Sequence, residues 1–238
     1  MTLTRAFGCA LLVPLSLLSA GCGSDAPADP SSQNPTIGTG PLLPWKVGNK
    51  WTYRVSDGTE ISEKTTTVDA EELVGGTGPN ANVMAYRVVT RKGTMLNDET
   101  ESWQGPAPDS ADKIIRYREI AYSAKTGSPS LETHWAPYKL HIDGRAETLV
   151  ADYTWREDYE ETKTPFDGTP VEVVTEADRW TIISLDESVT VAGTRYDHAV
   201  HFQKFSNSAK EYWYLRGVGK LKETGSQTEE LVSYSLAH

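Results

Sequence analysis

The chain has 238 residues, with 23 Lys and Arg against 33 Asp and Glu, and a formal net charge of −10. With 38% apolar and 24% charged residues it has the composition of a folded globular protein, which excludes collagen-like and wholly disordered chains. The acid surplus argues against a nucleic-acid partner, because phosphate binding needs clustered Lys and Arg, and no apolar run reaches the roughly 18–20 residues of a membrane-spanning helix.

Residues 1–21 read as an export signal: Arg5 opens the segment, a mostly apolar stretch follows from Ala6 to Leu18, and small residues lead up to Cys22. The segment Leu18-Ser19-Ala20-Gly21-Cys22 resembles the lipobox of bacterial lipoproteins, with Ser19 where that family most often has Leu. The resemblance implies cleavage before Cys22, attachment of diacylglycerol to its thiol and acylation of its new amine. The only other cysteine is Cys9, inside the signal, so the mature chain would hold no disulfide, Cys nucleophile or Cys-based zinc site. Several acyl chains hold a protein firmly, each buried CH₂ contributing about 0.8 kcal/mol. Gly23, rather than Asp, follows the Cys. By the same resemblance this implies the outer membrane, facing the periplasm or the cell surface.

Residues 22–44 form the lipidated Cys and a Pro-, Ser- and Gly-rich tether, expected to stay disordered because it has little to bury. Residues 45–238 are expected to form a single β domain. Trp51, Tyr53 and Val55 alternate with Thr52 and Arg54, as on a half-buried strand, and Asp57-Gly58 marks a hairpin turn. Further runs follow at 60–69, 83–90, 94–104, 113–121, 133–142 and 149–162. In the last, Tyr153, Trp155 and Tyr159 share one face, and Thr154, Arg156, Asp158 and Glu160 the other. Runs at 180–185, 189–191, 196–205, 211–215, 220–224 and 230–236 complete the set, with a short helical turn expected near 109–113. The pattern predicts an all-β fold, an antiparallel meander of ten to twelve strands curved into a half-barrel or barrel.

Three landmarks resemble many uncharacterised bacterial secreted proteins and lipoproteins. They are Pro44-Trp45-Lys46-Val47-Gly48-Asn49-Lys50-Trp51-Thr52-Tyr53 with Leu43 before it, Val189-Thr190-Val191-Ala192-Gly193-Thr194, and Tyr212-Trp213-Tyr214-Leu215-Arg216-Gly217-Val218-Gly219. The resemblance implies a curved antiparallel sheet, similar to the lipoprotein-carrier half-barrel that shelters acyl chains, and is silent on activity.

Catalytic signatures are weak. Gly217-Val218-Gly219-Lys220 lacks the first Gly and the Ser/Thr of a phosphate loop. His198 and His201, three apart, point to opposite faces of a strand, as do His134 and His141. No cofactor or metal is expected. The acidic run 157–161 reads as a solvated face, and no Gly-x-Ser-x-Gly elbow occurs. The candidate ligand-binding residues are therefore aromatic: Trp51, Tyr53, Trp103, Trp155, Trp180 and Trp213, with Trp135 beside them. The expected function is non-enzymatic: a lipid-anchored envelope protein binding an apolar or lipid ligand, or an envelope protein partner. The alternatives are a structural subunit of an envelope complex with no pocket, or a hydrolase using two carboxylates.

Overall fold

A computed structural model describes residues 40–93 and 99–237. The expected export signal, Cys22 and most of the expected tether lie outside the described residues, as does part of the expected 94–104 run.

Twelve strands follow one another: β1 (Lys50–Ser56), β2 (Ile61–Leu73), β3 (Met84–Lys92), β4 (Glu99–Ala107), β5 (Ser110–Tyr122) and β6 (Pro129–Asp143). Then come β7 (Thr154–Pro165), β8 (Glu172–Val191), β9 (Thr194–Phe205), β10 (Ala209–Leu215), β11 (Gly219–Thr224) and β12 (Thr228–Ser235). Each strand pairs antiparallel with its sequence neighbours, and β1 pairs with β12 from Lys50 opposite Ser235 to Ser56 opposite Thr228. The meander therefore closes, which removes the free edges an open half-barrel would expose.

The expected helical turn near 109–113 is absent. Ala107 pairs with Ser110 across a two-residue turn at Pro108-Asp109, and Ser110–Lys113 is already strand. Pro presets the backbone angle for such a tight turn. The runs expected at 180–185 and 189–191 are one strand, β8, kept continuous by irregular pairing with β9 between Ile182 and Val189.

The outer wall is charged. In β7, Arg156 and Asp158 pair on the outside with side chains 68% and 60% exposed. On β1, Arg54 pairs outward with Glu230 of β12. A lipid-facing charge costs about 2–4 kcal/mol at the bilayer midplane, so this wall is not the apolar band of a membrane-spanning barrel.

One end of the barrel is plugged by the chain entering it. Leu42 and Leu43 are 0% and 4% exposed, and Trp45 meets Trp51 edge-on at 5.4 Å. The strap is tied down by the Gly217 amide donating to the Pro41 carbonyl (2.9 Å) and by Arg216 donating to the Gly40 carbonyl (2.9 Å). Residues 40–44 therefore belong to the folded unit rather than to the tether. The sequence reading missed them because two leucines between prolines offer no period to follow.

The β2–β3 connection folds back over the outside of β5 and β6. Arg118 donates to the Val74 carbonyl (2.8 Å), and Asn80 to the carbonyls of Trp135 (2.9 Å) and Pro137 (2.8 Å). This flap lies so close that a Cβ on Gly78 would sit 2.3 Å from Nδ1 of His134, which is itself 5% exposed. Gly78→Ala is expected to cost about 1–3 kcal/mol by overpacking. Hydrogen exchange at the Gly75 and Ala81 amides, which bond within the flap, should accelerate while the β8 amides stay protected. Unchanged exchange in the flap would show the contact to be looser than described.

Candidate functional site: the barrel lumen

The inward faces of the strands enclose a cavity of about 410 Å³, within the range of about 300–1,000 Å³ typical of small-molecule sites. Leu43 and Trp45 of the strap form its floor with Trp51, Leu140, Trp180 and Tyr214. The walls climb to the opposite rim, where Lys210 and Gln227 stand, the Lys210 side chain 39% exposed.

An aromatic ladder supports the floor. Tyr153, Trp155, Trp180, Tyr212 and Tyr214 follow one another with ring centroids 5.7, 6.2, 5.8 and 6.4 Å apart. Trp155 and Trp180 are direct cross-strand partners on β7 and β8. Each such pair contributes about 0.5–1.5 kcal/mol beyond its burial.

Above the aromatics the walls are charged. Lys64, Arg116, Lys139, Lys204, Lys210 and Lys220 line the cavity. Only three carboxylates line it with them, Glu119, Glu223 and Glu229. The lining thus carries three surplus positive charges in a chain whose net charge is −10.

The charges divide into two groups. In the first, Glu229 accepts from Lys64, Lys220 (2.7 Å) and Gln227 (2.8 Å), while Glu223 accepts from Lys220 (2.5 Å) and Lys210 (3.1 Å). Glu223 and Glu229 are register partners on β11 and β12. This convergence of two acids is what a carboxylate hydrolase would need. Burial works to raise both carboxyls, but the lysines outweigh it and both end below the usual carboxylate range. A general acid needs a raised pKa. These two are fixed as anions, counterions to the lysines rather than proton donors. Burial brings Lys64 down to about 8, helped by Lys220 and opposed by Glu229.

In the second group, Arg116 of β5 stands opposite Lys139 of β6, and both lie over the Trp135 ring, at 5.6 and 5.4 Å from its centroid. Lys204 lies over Trp180 at 5.4 Å. Burial lowers the Lys204 pKa; Asp178 opposes this, and repulsion from Lys139 and Arg116 adds to it. The counter-carboxylates of this group lie mostly behind the lining: Asp178, 2.7 Å from Lys204, and Glu161, 3.5 Å from Lys139. Glu161 also accepts from Trp135 Nε1 (2.8 Å) and pairs with Lys163 (2.8 Å). Arg116 donates to Glu119 (3.2 Å) and contacts Nδ1 of His141 (3.4 Å). Since arginine only donates, His141 accepts there as a neutral ring. Burial, and then Arg116, hold the His141 pKa well below its ordinary value.

Of the six aromatic candidates, Trp51, Tyr53 and Trp180 line the cavity. Trp155 faces inward but stands behind Trp180 in the ladder. Trp103 and Trp213 are on the outer wall. Trp103 opposes Arg87 across β3–β4, is bonded to Glu72 (3.0 Å) and lies under Arg118, 4.4 Å from its ring centroid. Trp213 opposes His201, stacks on it at 4.1 Å and donates to Glu187 (3.0 Å). Cys22 lies outside the described residues. Of the acidic run, Asp158 and Glu160 are exposed as expected, whereas Glu161 is turned inward.

Fold and cavity together define a closed twelve-stranded meander barrel with a polar, aromatic-floored lumen. No protein-family model matches the chain, nor does any curated protein sequence. Among solved structures, it is similar to a protein inferred to be exported, with a YmcC-like fold, from Bacteroides fragilis NCTC 9343. The identity is 8% and the TM-score 0.46, over 83% of this chain and 100% of the other.

Proposed function

We propose that the protein is an envelope lipoprotein, anchored through Cys22 to the outer membrane, whose barrel binds one small amphiphilic molecule in its lumen and performs no covalent chemistry on it. The observation that carries this reading is the cavity of about 410 Å³, floored by aromatic rings and reaching the rim opposite the strap. A purely structural subunit has no use for such a lumen; its barrel would be filled by side chains. The walls also favour a ligand with a polar group over a bare acyl chain, because polar and charged side chains left facing hydrocarbon would lose their hydration.

Native mass spectrometry of the protein purified from its own host's membranes tests this. The expected result is a co-purifying molecule near one per chain, lost when Thr90, a wall residue of the lumen, is replaced by Trp. The same spectra should show acyl mass on the N-terminal peptide, absent in Cys22→Ala. A bare protein mass from freshly prepared membranes would overturn the binding reading, and an unmodified Cys22 would overturn the anchor.

A further inference from the structure

The lining departs from neutrality in one direction: six cations stand in it against three carboxylates. Such a lining favours a ligand that brings negative charge and hydrogen-bond acceptors. The two charged groups are not equivalent in this respect. Glu223 and Glu229 stand in the lining between Lys64, Lys210 and Lys220 and occupy them. Around Arg116, Lys139 and Lys204, the three cations line the cavity while two of their three carboxylates, Asp178 and Glu161, do not.

Resting on the proposed lumenal site, we infer that it selects anions: Arg116, Lys139 and Lys204 bind a carboxylate or phosphate group whose apolar or planar remainder lies on the aromatic floor. Arg116 offers the fork geometry that matches such groups, and the low dielectric of a half-closed lumen strengthens the charge-assisted bonds.

The test uses two fluorescent probes of nearly the same shape, 1-anilinonaphthalene-8-sulfonate and its uncharged counterpart N-phenyl-1-naphthylamine. Each is titrated into the chain from residue 22 onward carrying Cys22→Ala, without detergent. The anionic probe is expected to bind at one per chain, about ten-fold or more tighter than the neutral one, the equivalent of one charge-assisted hydrogen bond. Raising NaCl should weaken the anionic probe and leave the neutral one unchanged. Lys139→Gln should weaken only the anionic probe; this variant spares the fold because Glu161 keeps Lys163 and Trp135. Displacement by octanoate points to a carboxylate ligand and displacement by octyl phosphate to a phosphate; octanol should displace neither probe selectively. Equal binding of both probes, insensitive to salt and to Lys139→Gln, overturns anion selection while leaving a lumenal site standing. Binding of neither probe overturns the lumenal site itself.

Discussion

Glu229→Gln is expected to lower the thermal midpoint by about 10 °C near neutral pH. Glu229 is 2% exposed and is the shared acceptor of Lys64, Lys220 and Gln227. Removing one member of a buried ion network costs about 3–5 kcal/mol, because the partners remain buried without compensation. For a domain of this size each kcal/mol is worth about 2–4 °C. Glutamine keeps the shape, so the loss isolates the charge.

The pH dependence follows with a definite sign. Glu223 and Glu229 titrate below the ordinary glutamate value of 4.5 in the folded chain. Their contribution is present above about pH 4.5 and is lost as pH falls through the folded values. Wild type should therefore lose stability steeply in acid, and Glu229→Gln less steeply. Lys64 behaves in the opposite sense. Its folded pKa of about 8 lies below the unfolded 10.5, so the unfolded chain binds more protons between these values and stability rises with pH across that window. With Glu229 gone, Lys64 sheds its proton more readily. The deficit of the variant should be largest near pH 6–7 and shrink towards pH 9. Calorimetry of both proteins from pH 3 to 9 measures it. A deficit constant over the whole range would show that the network is held by shape rather than charge.

The second large effect is expected at Trp180. The ring is 2% exposed, stacks between Trp155 and Tyr212, meets Phe202 edge-on at 6.4 Å and underlies the Lys204 ammonium. Trp180→Ala removes a rung of the ladder and part of the cavity floor together. Large-to-small changes of this kind cost about 3–5 kcal/mol. A fall in the thermal midpoint of about 10 °C is expected, against a few degrees for Trp155→Phe, which keeps the stacking. A fall under about 2 °C would mean that the ladder is decorative and that the pairing of β8 with β7 and β9 holds the wall unaided.

The strands were legible because alternation is a local signal. The faces were less so. Along β10, Tyr212, Trp213 and Tyr214 are all aromatic, so period two cannot say which side is inside; Tyr212 and Tyr214 line the lumen while Trp213 is outside. On β4 the usual rule is inverted. Thr100, Ser102 and Gln104 line the cavity, and Trp103 sits on the outer wall beside Glu72 and Arg118. Nothing near Trp103 in sequence announces Glu72 or Arg118. The charged lumen was hidden for a similar reason. Lys64, Arg116, Lys139 and Lys204 come from four strands, and each looks alone like an ordinary surface residue. Only barrel closure brings them together. That closure was itself one of two architectures the alternation allowed, since the pairing of β1 with β12 joins residues some 180 positions apart.

The strap also fixes where mechanical load enters the molecule. Any pull reaching the barrel through the preceding chain arrives at Gly40 and bears first on the Gly217–Pro41 and Arg216–Gly40 bonds. Behind them come the seats of Leu42 and Leu43. Leu43 and Trp45 form part of the cavity floor, so tension there acts on the base of the cavity before it acts on any strand of the wall. Under such a pull the barrel would be a vessel held by its own stopper.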